Sequence, residues 1–136
     1  MKYIITYQNP HQHFIDIQCI IEKVSTEFLE VHLPAWRPGR YELGNFAKNI
    51  QKWNVADKKG NPLPSQKISK DHWKITPIPN PSQREGNSNT QEKADLQGAT
   101  VIINYNYYAA ELNAGSTFLD EKQLYINPVN CLLYVK

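Results

Sequence analysis

The length and composition of this chain limit what it can be. Its 136 residues are enough for one domain with a single core and leave no room for a second domain. Hydrophobic residues make up 40% of the chain and charged residues 21%, as is ordinary for a globular protein. The formal net charge of +2 comes from scattered cations, whereas nucleic-acid binding normally needs a basic stripe, so we expect no nucleic-acid partner.

The chain begins with a predicted strand, "KYIITY". This region has too few consecutive apolar residues for a signal-peptide core, which needs about 7 to 15. No later run approaches the roughly 18 apolar residues of a membrane span. We therefore expect no membrane partner and, by default, a cytoplasmic location.

Most of the chain shows the period-two alternation of strands that bury one face. The segments "FIDIQCIIE", "FLEVHL" and "TVIINYNYY" show it best, and shorter candidates are "QKWNVAD", "DHWKIT", "QLYI" and "CLLYV". The residues predicted to point inward are Ile15, Ile17, Cys19, Ile21, Leu29, Val31, Leu33, Val101, Ile103, Tyr105 and Tyr107, and we also place Trp53 and Trp73 in the sheet. About eight strands, with at most one short helical turn in "YELGNFAKNI", predict an all-β fold. An antiparallel β-sandwich or a curled sheet is the natural packing.

Two connections stand out between the predicted strands. "ADKKGNPLP" places Gly60-Asn61 at a hairpin tip, followed by prolines that suit a sheet edge. Residues 79–98 are almost entirely polar and contain no aromatic residue, so little in them can offset the entropy of ordering. We predict a single β-domain over residues 1–136 with a flexible loop at 79–98.

No residue pattern in this chain points to catalysis. The sequence contains no HExxH, G-x-S-x-G, paired CxxC or phosphate-binding loop. Histidine and cysteine are too few and too scattered to predict a metal site, because such a site needs three or four ligands. We therefore predict no catalytic residue, no metal and no cofactor in this chain. The residues considered are His11 and His13, expected on one strand face; His32 and His72, expected as rim histidines or as histidines with satisfied hydrogen bonds; and Cys19 and Cys131, expected as buried reduced thiols, with a disulfide between them as the alternative.

The segment "LPAWRPGRYELGNFAKNI", residues 33–50, is the most distinctive in the chain. Pro34 and Pro38 fix φ and remove two backbone donors, and Gly39 allows a positive φ, so the chain must leave the sheet and turn. A purely structural corner explains these residues. A functional interpretation is that the corner presents side chains typical of binding hot spots to a substrate or to a neighbouring domain. The candidate site is Trp36, Arg37, Pro38, Gly39, Arg40 and Tyr41.

This segment resembles the Pro-x-Trp-x-Pro-Gly-x-Tyr signature of the N-terminal domain of the glycyl aminopeptidase family, metallopeptidase family sixty-one. The likeness continues through "VADKKGNPLPSQKISKDHWKI" and "VIINYNYYAAELNAGSTFLDEKQLYINPVNCLLYV". It covers nearly the whole chain, with the segments in the expected order.

The resemblance implies that this chain is one part of a longer zinc-dependent peptidase. In that family a β-rich front domain precedes a thermolysin-like domain that carries HExxH and zinc, and a PDZ domain commonly follows. The front domain would pack in cis on the catalytic domain and help to position the amino terminus of a peptide substrate. This chain alone would not be the enzyme, and the zinc would lie in the catalytic domain.

The chain departs from the family's pattern at several positions. Many relatives have Ser in place of Arg40, Arg in place of Gly44, and Val-Arg in place of Ala114-Gly115. We hypothesise that Arg40 compensates for the missing arginines, and Arg40→Ala would then weaken docking or activity of the longer protein. Relatives continue with further strands, so we also expect either a shortened chain or a sheet that another segment completes.

A second function class fits the same residues. An independent β-sandwich module, with no enzyme attached, would use the aromatic and arginine corner to bind a peptide or a glycan. The downstream reading frame discriminates between the two, because HExxH within a few hundred residues supports the peptidase.

Overall fold

A computed structural model of the chain describes residues 1–39, 42–77, 95–113 and 115–136. In these ranges the protein is all-β, and each pair of neighbouring strands is antiparallel. The strands are β1 (Lys2–Thr6), β2 (Phe14–Ile21), β3 (Leu29–His32), β4 (Ile50–Asp57), β5 (Ser65–Ser69), β6 (His72–Ile75), β7 (Val101–Tyr108), β8 (Phe118–Leu119), β9 (Leu124–Tyr125) and β10 (Tyr134–Val135).

Helical structure in the described ranges is confined to short turns. Two 3-10 turns cover Pro10–Gln12 and Phe46–Asn49, and one four-residue α-helix, α1, covers Pro128–Cys131. The turn at Phe46–Asn49 lies where the sequence allowed a helical turn. No helix in the described residues is long and apolar enough to cross a membrane.

The strands form two four-stranded sheets and one small sheet. The first sheet has the order β1-β2-β7-β4, the second has the order β10-β3-β6-β5, and β8 pairs with β9. In the first sheet Ile17 lies between Ile5 and Tyr105, and in the second Val31 lies between Val135 and Trp73. Both sheets therefore combine segments that are far apart in the chain.

The two four-stranded sheets share one hydrophobic core. The alternate residues of β2 and β7 that the sequence predicted to point inward are all buried, and so are those of β3. The indole rings of Trp53 on β4 and Trp73 on β6 stack with centroids 4.7 Å apart, which joins the first sheet to the second. The all-β antiparallel fold predicted from the alternation is confirmed, and of the two packings expected, a sandwich or a curled sheet, the two sheets with a shared core match the sandwich.

Two strands were not predicted, and one predicted placement is wrong. All five residues of β5 are exposed, so its composition shows no alternation, and β8 has only two residues. His11 and His13 do not share a strand face. His11 lies in a 3-10 turn because Pro10 starts one there, and His13 follows it at φ +62°. The Nδ1 atom of His13 lies 2.6 Å from the carbonyl oxygen of Leu119.

The predicted loop at 79–98 lies mostly outside the described residues, and its flexibility stays a prediction. Its last residues are described and are anchored. Leu96 is buried, and its N–H donates to the carbonyl oxygen of Glu27 at 3.0 Å. The N–H of Gly98 donates to Val24 at 2.7 Å. The polar composition of the segment gave no indication that Leu96 would be buried.

The two cysteines are both buried and free, as expected for reduced thiols. Burial raises the pKa of Cys19 to about 12 and that of Cys131 to about 11. Their thiols therefore stay protonated near neutral pH and behave as small apolar groups.

Candidate functional site

The corner predicted from the proline and glycine pattern is present after β3. Gly39 has φ +86°, a value that L side chains rarely adopt, which confirms the reason for a glycine there. The N–H of Gly44 donates to the carbonyl oxygen of Ala35 at 2.7 Å and closes the loop. The chain then enters the 3-10 turn Phe46–Asn49 and β4, so the corner is fixed at both ends by the first and second sheets.

The side chains of the corner differ in exposure. Trp36 is 52% exposed, Pro38 and Gly39 are exposed, and Arg37 is half-buried. Arg40 and Tyr41 lie outside the described residues, so their place in the candidate site stays a prediction. An exposed indole on a loop with two fixed ends has the character of a binding anchor.

Beside the corner is a groove of about 170 Å³, which we call the corner groove. Its lining comes from the corner and the 3-10 turn and from β7 with the segment that follows β7. It is lined by Arg37, Glu42, Leu43, Gly44, Asn45, Phe46, Lys48, Asn49, Tyr107, Glu111, Asn113 and Ser116.

The lining of the corner groove combines an uncharged buried phenol with charges of both signs. The hydroxyl of Tyr107 accepts a hydrogen bond from Asn49 Nδ2 at 3.2 Å, and burial raises the pKa of Tyr107 to about 12, so the phenol stays neutral. Arg37 and Lys48 supply two positive charges, and Glu42 and Glu111 supply two negative charges. Oε1 of Glu111 accepts from Asn113 Nδ2 at 2.8 Å, which orients that carboxylate.

Two glycines give neighbouring side chains room at this groove. A Cβ on Gly44 would lie 2.4 Å from Cζ of Phe46, so the phenyl ring packs directly on the glycine backbone. A Cβ on Gly115 would lie 1.3 Å from Nη1 and 2.1 Å from Cζ of Arg37. The guanidinium of Arg37 thus occupies the space that a side chain at 115 would fill.

Gly115 is held from behind by a network of side-chain amides. Its N–H donates to Asn113 Oδ1 at 3.1 Å, and its carbonyl oxygen accepts from Nδ2 of Asn127 at 2.9 Å and of Asn130 at 2.8 Å. Asn127 also caps α1, because its Oδ1 accepts from the N–H of Val129. The backbone under the guanidinium is therefore fixed to α1.

The described residues do not offer a metal site. No group of three or more His, Cys, Asp or Glu side chains within them could hold a metal ion. In the resemblance the zinc belongs to the catalytic domain of a longer protein, and the described residues of this chain add no ligand set for it. The corner groove can bind a small polar group through its two cations and two carboxylates.

The structure brings Arg37 together with residues that sequence reasoning did not select. Lys48, Asn49, Tyr107, Glu111 and Ser116 line the groove, yet each belongs to a turn, a strand or a loop with an ordinary local pattern. The sequence did give a signal at Gly115, because this position departs from the pattern of the family it resembles. This glycine sits where the resemblance predicts an arginine, and the structure supplies an arginine from the corner.

The fold matches known proteins over nearly its whole length. Residues 2–136 match the family described as the peptidase M61 N-terminal domain. The crystal structure of an aminopeptidase N family protein from Idiomarina loihiensis is similar, with a TM-score of 0.77 and 28% sequence identity. The match covers 98% of this chain and 19% of that protein, so the chain spans about a fifth of it. No curated protein matches significantly. The chain belongs to the family of peptidase M61 N-terminal domains.

Proposed function

We propose that this chain is the non-catalytic N-terminal β-domain of a zinc-dependent aminopeptidase, that it packs on the catalytic domain, and that it helps to position the amino terminus of the peptide. The observation that carries this proposal is the family match over residues 2–136. The similar protein from Idiomarina loihiensis adds support, because a fold like this one accounts for only 19% of its length. Hydrolysis would belong to the rest of such a protein, where zinc would supply the Lewis acid.

Among the described residues, the corner groove has charges suited to meet a peptide amino terminus. An α-amino group is positively charged at neutral pH, and Glu111 presents a carboxylate oriented by Asn113. Trp36, 52% exposed on the adjacent corner, offers an apolar surface for a neighbouring side chain or for the catalytic domain. Together they provide a charged contact in the groove and an aromatic contact on the corner.

The first experiment is an aminopeptidase assay with a glycyl chromogenic substrate. It is run on residues 1–136 alone and on the longer gene product, each with and without a zinc chelator. We expect chelator-sensitive cleavage by the longer product only. Cleavage by the 136-residue chain alone would overturn the assignment of this chain as non-catalytic.

A matched pair of variants tests the role of the corner in the longer product. We expect Trp36→Ala to raise KM or weaken docking of the two domains by about tenfold, since exposed tryptophans at interfaces commonly contribute on this scale. The control is Tyr125→Ala, because Tyr125 is 50% exposed, lies in β9 and is not one of the residues that line the groove. Equal effects of the two variants would contradict a specific role for the corner.

The alternative is an independent module that binds a peptide or a glycan. The exposed Trp36 fits this alternative equally well. Peptide or glycan binding by the 136-residue chain, with no HExxH in the downstream reading frame, would favour it over the peptidase domain.

A further inference from the structure

We infer that Arg37 determines which peptides the corner groove accepts, and that Gly115 is the residue that keeps its guanidinium in place. The inference rests on the proposed function, in which the groove receives a peptide amino terminus. It assigns a preference for peptides that carry an acidic side chain close to that terminus.

Position 115 requires a glycine for its lack of a side chain and not for its backbone conformation. Gly39, Gly60 and Gly98 have positive φ and need glycine for their backbone conformation, but Gly115 does not. What Gly115 provides is space. A Cβ there would lie 1.3 Å from Nη1, 2.1 Å from Cζ and 2.7 Å from Nη2 of Arg37, so the planar guanidinium lies across the glycine Cα.

The second step is that the glycine backbone cannot easily move away. It is buried, and Asn113, Asn127 and Asn130 hold its N–H and carbonyl oxygen with three hydrogen bonds. The long side chain of Arg37 has rotatable bonds and reaches into the same space from the corner. Any side chain at 115 would therefore displace the guanidinium and leave the turn in place.

The third step is the charge of the groove. Arg37 and Lys48 balance Glu42 and Glu111. When a peptide amine pairs with Glu111, one positive charge remains in excess. A guanidinium fixed against a backbone is pre-organised for a carboxylate, since its planar donors match the two carboxylate oxygens. An aspartate or glutamate near the peptide amino terminus is then favoured over a lysine.

A double-mutant cycle on the 136-residue chain tests the contact itself. We expect Gly115→Ala to raise the equilibrium constant for unfolding about tenfold in the native background, the size typical of residues in direct contact. In an Arg37→Ala background the same change should have little effect or stabilise, because no guanidinium is displaced. Lys48→Ala is the control background, since Lys48 carries the same charge in the same groove. There Gly115→Ala should cost as much as in the native chain.

The specificity is tested in the longer product with peptides that begin Gly-Asp and Gly-Lys. We expect the native protein to cleave the Gly-Asp peptide with about fivefold higher kcat/KM, and both Arg37→Gln and Gly115→Ala to remove this preference. Arg37→Lys should restore it in part, because the charge is kept and the planar donor array is lost.

Each result supports or overturns the inference. Coupling at 115 together with a lost Gly-Asp preference supports it. Additive effects of Gly115→Ala and Arg37→Ala overturn it, and so does cleavage with an unchanged preference in Arg37→Gln, while the proposed function stands. Coupling between positions 37 and 115, together with no cleavage of either peptide by the unmutated longer product, overturns the proposed function and the specificity with it.

Discussion

The hydroxyl of Tyr105 is expected to contribute more to the free energy of unfolding than the hydroxyls of Tyr107 and Tyr108 on the same strand. Tyr105 is 2% exposed in the core, and its hydroxyl donates to the carbonyl oxygen of Cys131 at 2.6 Å. Cys131 ends α1, where carbonyl groups have no partner within the helix. Burial raises the pKa of Tyr105 well above its usual range, so the phenol remains a donor. Tyr105→Phe removes this donor and keeps the ring.

The size of the effect depends on the carbonyl group of Cys131, which loses its donor in this variant. A buried carbonyl that loses its hydrogen bond costs about 1–3 kcal/mol, and we expect Tyr105→Phe to lower the free energy of unfolding by about 1.5 kcal/mol. Tyr107→Phe should cost less, because the longer bond of 3.2 Å joins the phenol to the half-buried Asn49. Tyr108, 42% exposed on the same strand, is the control, and Tyr108→Phe should stay within about 0.5 kcal/mol of the native chain.

The assay is urea unfolding followed by circular dichroism. With a slope of about 1.5–3 kcal/mol per molar urea, the loss moves the Tyr105→Phe midpoint down by roughly 0.5–1 M. The slope itself should stay constant, since the surface exposed on unfolding is unchanged. If the midpoint for Tyr105→Phe equals that for Tyr108→Phe, the hydrogen bond from Tyr105 to Cys131 does not stabilise the fold, and α1 is not anchored to β7 through it.

Three further predictions concern His32, the thiols and the corner. Burial, with added repulsion from the stacked imidazole of His72, lowers the pKa of His32 below 6.5. The folded state therefore binds a proton at His32 less readily than the unfolded state does. The free energy of unfolding should fall as the pH drops below about 6.5. His32→Gln should flatten that fall in urea midpoints measured from pH 7.5 to 5. Cys19 and Cys131 should resist a disulfide reagent at pH 8 in native protein and react once unfolded, whereas rapid native reaction would contradict their burial. Gly44→Ala should destabilise by about 1–3 kcal/mol in urea unfolding because it pushes the ring of Phe46 away, and Phe46→Ala should abolish this extra cost.

The fold was largely predictable because alternation reports directly on which face of a strand is buried. Ile17 and Tyr105 follow that pattern and pair across β2 and β7 as expected. β5 escaped prediction since an edge strand with both faces exposed leaves no such pattern. The stack of Trp53 on Trp73 was only partly predictable. Their strand positions follow from the pattern, but the contact between the partly buried Trp53 and the buried Trp73 depends on how the sheets pack.

Part of the candidate site could also be predicted from the sequence, and part could not. The turn at Gly39 follows from local rules of proline and glycine, and its positive φ confirms them. The contact of Arg37 with Gly115 does not follow from local rules, because the two residues are distant in sequence and meet only after β7 and the corner are assembled. For the same reason Glu111 gave no signal as a neighbour of the corner. Lys48 lies within the distinctive segment, but nothing in its local pattern indicated that it would line a groove with Arg37.

The strand order has a consequence for synthesis of the protein. β10 supplies one edge of the second sheet, where Tyr134 pairs with His32. A chain emerging from the ribosome therefore holds an unfinished sheet, with one side of β3 unpaired, until residue 135 has left the exit tunnel. Contacts this distant also make folding slow, on the scale of milliseconds to seconds. During that interval the free backbone groups along β3 are open to pairing with another chain, so crowding of nascent chains favours aggregation at this strand.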